Sequence, residues 1–74
     1  MARITMEAAR VNAGLTQDKI AAKMGISRSF YNNIETGKVT EIKPVYIYAF
    51  CQITGFSPDD IILPSEYSKN EQET

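Results

Sequence analysis

Apolar positions recur along this chain at helical spacing, in short blocks that local start and stop signals separate. Thr5 can cap a first helix over residues 6–13, and Gly14 supplies the left-handed residue that ends it. Thr16 opens a second helix over 17–24, stopped by Gly25, and Ser27 caps a third that reaches Glu35, with Gly37 beyond. Residues 36–43 have no apolar period and read as a loop. Pro44 then occupies a first helical position, where its missing N–H is harmless, and a fourth helix runs to Thr54 before Gly55. Within it Ile47, Phe50, Cys51 and Thr54 form an i, i+3, i+4, i+7 stripe facing a core, with Cys51 as a small buried filler. Residues 45–50 are rich in β-formers, but the flanking proline and glycine outweigh them. Ser57, Pro58, Asp59 and Asp60 give a cap, an N1 proline and two acids at the positive end of a short fifth helix over 59–63, which Pro64 closes. With no useful period-two alternation, the expected class is all-α, a bundle of five helices.

A chain of 74 residues has material for one small core, expected within residues 1–64. Residues 65–74 are polar, offer only Tyr67 as an apolar anchor, and are expected to form a disordered tail. Apolar runs are far shorter than the roughly 20 residues of a membrane span, and the start of the chain lacks the apolar core of a signal peptide, so a protein that stays where it is made is expected. One cysteine, Cys51, forms no internal disulfide, and without histidine a metal site would rest on carboxylates alone; neither metal nor other cofactor is expected.

The net charge of −1 hides a segregation. Residues 1–43 carry seven Lys or Arg against four Asp or Glu, which is +3, whereas residues 44–74 carry one against five, which is −4. One half can face phosphates while the other avoids them.

Residues 17–36 have the spacing that two helices crossing at about 90–120° around a tight turn require. The point of closest approach needs a side chain no larger than a methyl, and Ala21 stands there with Ala22 beside it. The turn needs positive φ, which Gly25 adopts without steric cost. Ile20 and Met24 point inward, the turn adds Ile26, and the third helix returns Tyr31 and Ile34 to the same core.

Gly14-Leu15-Thr16-Gln17, Ile20-Ala21, Gly25-Ile26-Ser27 and Ile34-Glu35-Thr36-Gly37-Lys38 together resemble the phage repressor and Cro-type, or XRE, helix-turn-helix family. The resemblance covers about residues 6–63 and implies a lambda-repressor-like five-helix bundle whose third helix enters the major groove of double-stranded DNA. It implies a transcriptional regulator, a repressor that binds a palindromic operator as a homodimer in the cytoplasm of a bacterial or phage-infected cell. It also implies a buried ion pair between an arginine of the first helix and a glutamate ending the recognition helix, positions that Arg10 and Glu35 match.

If Ser27, Tyr31, Ile34 and Glu35 point inward, the 100° helical step puts Ser29, Asn32, Asn33 and Thr36 on the opposite face, with Arg28 on its leading flank. Arg28 can make two hydrogen bonds to a guanine edge, and Asn32 or Asn33 can pair with adenine. The resemblance favours Arg28, Ser29 and Asn33 as base readers, ahead of Asn32. Phe30 lies beside the inward stripe, where it can pack on the second helix, touch a thymine methyl or stay partly exposed, and core packing is the expected reading. Phosphate contacts are expected from Thr16 and Gln17 at the start of the second helix, the latter matching the family's phosphate-gripping glutamine, and from Lys38 and Lys43 around the following loop. Glu41 departs from the more basic loops of the family and predicts modest non-specific affinity. Ile61, Ile62 and Leu63 carry more apolar surface than a short helix needs for docking and are candidates for the dimer interface, with docking on their own core as the alternative.

An alternative with the same fold is an antitoxin that represses its own operon and masks a toxin, with residues 65–74 as the masking segment. Another is a protein-interaction module that no longer binds DNA, which the acidic pI of 5.3 would suit. No enzyme is expected: there is no histidine, the one cysteine lies on an apolar face, and no carboxylate pair has an evident pocket.

Overall fold

The computed structural model describes residues 3–39 and 41–64. The tail expected over 65–74 lies outside the described residues. Four α-helices make up most of the fold: α1 (Met6–Asn12), α2 (Gln17–Met24), α3 (Arg28–Glu35) and α4 (Pro44–Thr54). Each of the first three begins with a side-chain cap, as Thr5 accepts from the N–H of Ala8, Thr16 from that of Lys19 and Ser27 from that of Phe30. Ser27 is exposed in this capping role rather than turned inward as the face assignment supposed.

Gly25 ends α2 with φ +75° and ψ 29°, while the N–H of Ile26 reaches back to the carbonyl of Ala21 at 3.0 Å. That bond is the long closure of a Schellman turn, and it aims the chain directly into α3. A Cβ at Gly25 would meet nothing within 4 Å, so the demand for glycine is conformational. Gly25→Ala is therefore expected to lower stability by about 1 kcal/mol, read as a shift in the urea midpoint at unchanged m.

The core consists of Met6 and Ala9 from α1, Ile20 and Ala21 from α2, Tyr31 and Ile34 from α3, Phe50 and Cys51 from α4, and Ile61. Tyr31 and Phe50 stack with centroids 6.4 Å apart and planes at 16°, tying α3 to α4. Ala21 is buried at the approach of α2 to the rest of the core, whereas Ala22 faces solvent. Phe30 packs against the core and meets Tyr46 of α4 edge-to-face, with centroids 5.4 Å apart.

Residues 59–63 do not form the expected fifth α-helix. Pro58–Asp60 makes a single 3₁₀ turn, and the chain then extends as β2 (Ile61–Ile62), which pairs in parallel with β1 (Ile4–Thr5). Ile4 stands opposite Ile61 and Thr5 opposite Ile62, so the two ends of the domain are stitched together. Three causes favour this over a helix. Five residues are too few to repay helix nucleation, Leu63 precedes Pro64 and is disfavoured in the α region, and Ile61 and Ile62 are β-branched. Extension also buries Ile61 to 2% exposure and lets the Arg3 guanidinium donate to its carbonyl at 3.0 Å.

Candidate nucleic-acid interface

The candidate surface is α3 together with the first turn of α2. One side of α3 is anchored, as Tyr31, Ile34 and Glu35 are buried. The other carries Arg28, Ser29 and Thr36, all exposed, with Asn32 and Asn33 half-buried between them. The four expected base readers, Arg28, Ser29, Asn32 and Asn33, thus share one side of one helix, and short polar chains keep its profile low.

A polar network fixes α3 from behind. The buried carboxylate of Glu35 accepts from Arg10 Nε at 2.9 Å and from Arg10 Nη2 at 3.4 Å. It also accepts a short bond from the Tyr31 hydroxyl and one from Gln17 Nε2 at 3.1 Å. Arg10 has a further bond, from Nη1 to the carbonyl of Leu15 at 2.8 Å, so one guanidinium ties α1 to both the start of α2 and the end of α3. The structure thus brings together Arg10 and Glu35, and adds two partners. The hydrogen bond to Glu35 raises the Arg10 pKa against the opposing effect of burial. Burial, then the same carboxylate, pushes the Tyr31 phenol far above its ordinary value, so it stays a donor.

Gln17 also donates to Asn32 Oδ1 at 3.1 Å. Both hydrogens of its amide are therefore directed at α3. Lys38 and Lys43 are exposed on either side of the loop, as is Glu41 between them. Lys43 is also the N-cap residue of α4, without a side-chain capping bond.

Asp18 was not among the expected site residues. Its carboxylate lies 3.3 Å from Arg28 Nε. No sequence rule pairs residues from two separate helices, so this contact was not legible. The Tyr31 and Glu35 pair was in principle visible, because residues four apart share a helix face. Ile61 turns into its own core, which leaves Ile62 and Leu63, both half-buried, from the expected apolar trio.

Compared with protein-family models, residues 6–61 match the helix-turn-helix model. The chain belongs to the Cro/XRE-type helix-turn-helix family. No curated protein and no solved structure matches it. The helix-turn-helix match spans all four helices and makes this chain a DNA-binding transcriptional regulator by family, in a class of DNA-binding rather than enzymatic domains. Among the described residues no helix is long and apolar enough to cross a membrane.

Proposed function

We propose that this helix-turn-helix protein is a repressor that binds a palindromic operator as a homodimer, with α3 lying in the major groove. The observation that carries this is the division of α3 into a buried anchoring side and a polar side bearing Arg28, Ser29, Asn32 and Asn33. A helix so divided is held rigidly from behind and offers hydrogen-bonding groups in front, which is what base readout requires. Arg28 reads a guanine, Asn33 and Asn32 read adenine edges, and Ser29 serves either. Thr16 and the start of α2 grip phosphate on one side, and Lys38 and Lys43 do so on the other.

One such module covers a few base pairs, so useful affinity calls for two modules on half-sites about 34–36 Å apart. Ile62 and Leu63 supply the apolar contact between the two copies, with Ile61 kept for the core. Selection of bound duplexes from a random synthetic pool tests the whole reading. It should enrich inverted half-sites spaced by one helical turn or a multiple of it. Recovery of unenriched sequence would overturn base-specific binding, and recovery of single half-sites would overturn the dimer.

Lys43→Ala is expected to weaken binding to selected and random duplexes alike and to lower the slope of log K against log salt by about 1. A loss confined to the selected duplex would remove Lys43 from the phosphate contacts.

A further inference from the structure

Two neighbouring residues in the first turn of α2 each hold a side chain on the polar side of α3. Gln17 Nε2 donates to Asn32 Oδ1 at 3.1 Å, and the Asp18 carboxylate pairs with Arg28, approaching closest at Nε at 3.3 Å. Gln17, Arg28, Ser29 and Asn32 line one small polar depression between the two helices. The Asp18–Arg28 pair does little for the fold, because its side chains are 77% and 65% exposed and pairs in that setting are worth almost nothing in water. A carboxylate beside the DNA-facing side also repels phosphate, so its presence there lowers non-specific affinity.

We propose that Asp18 is a positioning residue that aims the Arg28 guanidinium at a guanine and so sets base selectivity at that position. The inference rests on Arg28 being a base reader. A guanidinium has two usable edges: a carboxylate approaching at Nε occupies the side edge, while the end edge keeps one N–H from each terminal nitrogen. The end edge matches guanine O6 and N7. When α3 enters the groove and water leaves, the same ion pair strengthens, because its charges are no longer screened by bulk solvent. Where the facing base is not guanine, Asp18 brings its phosphate repulsion without the compensating contact. Asp18 thus acts as a penalty on wrong sites as much as a support on the right one.

The test uses the full chain and a random synthetic duplex pool, with wild type, Asp18→Ala, Asp18→Asn, Arg28→Ala and the Asp18→Ala/Arg28→Ala double variant selected in parallel. Wild type should enrich a guanine in each half-site, and Arg28→Ala should lose that enrichment. Asp18→Ala should keep guanine as the favoured base but reduce its preference over the other bases about three- to tenfold. Asp18→Asn, which retains an acceptor but no charge, should fall between. In the Arg28→Ala background, removing Asp18 should change nothing at that position. A purely structural role for Asp18 at the α2 N-terminus would shift the melting temperature and leave base preference alone. Wild-type preference in Asp18→Ala, or an Asp18 effect that persists without Arg28, overturns the proposal while leaving Arg28 as a reader. Guanine enrichment that survives Arg28→Ala overturns the base-reading role of Arg28 and the Asp18 proposal with it.

Discussion

Replacing Glu35 with alanine should destabilise the domain by about 3–5 kcal/mol. Glu35 is 5% exposed and is the shared acceptor for Arg10, Tyr31 and Gln17, so truncation leaves a guanidinium of 12% exposure without its counter-charge and two further donors without their acceptor. A domain of this size has a total stability of about 4–11 kcal/mol, so the variant would sit near the edge of folding. Thermal unfolding should show a fall of about 12 °C or more. A midpoint within a few degrees of wild type would mean that Arg10 finds water or another acceptor and that the pair is ornamental. Paired substitution by apolar residues of similar volume, Arg10→Met with Glu35→Leu, should recover much of the loss, because the cost lies in orphaning a buried charge rather than in lacking an ion pair.

Arg28→Ala should cost about 1–3 kcal/mol of binding to the selected duplex, or roughly five- to 150-fold in Kd. Arg28 is exposed and outside the core, so its removal leaves the fold intact and the loss can be read as recognition. The variant should also relax base choice at one position in each half-site. On random duplexes the loss should be no more than that of a single phosphate contact, since a base reader contributes little where its base is missing. Titration of both duplexes at matched salt separates the two effects. Equal losses on both would reassign Arg28 to the phosphate backbone.

The places where sequence and structure diverge have particular causes. Thr16, Gly25, Ser27, Pro44 and Gly55 act through their own backbone or their nearest turn, so the ends of α2, α3 and α4 were legible before any tertiary contact was known. Residues 45–50 were legible as helix for the same reason, despite their β-forming composition. The segment after Gly55 was not. Ser57, Pro58 and the two aspartates are genuine helix-start signals, but they are used for one 3₁₀ turn, because Ile61 and Ile62 find backbone partners in Ile4 and Thr5, at the far end of the chain. Phe30 likewise meets Tyr46 of α4 edge-to-face, a pairing that no local spacing encodes.

The family resemblance paired Arg10 with Glu35; local sequence alone determined where four helices start and stop and which side of α3 is polar. These are properties of a residue and its near neighbours, set by dihedral preference, capping chemistry and the helical repeat. Only the tertiary structure decided that Gln17 joins the Arg10–Glu35 pair, that Asp18 meets Arg28, and that Ile61 belongs to the core. Each of these depends on how separate elements are docked, and docking is settled by the summed burial of the whole core, which no short stretch of sequence contains.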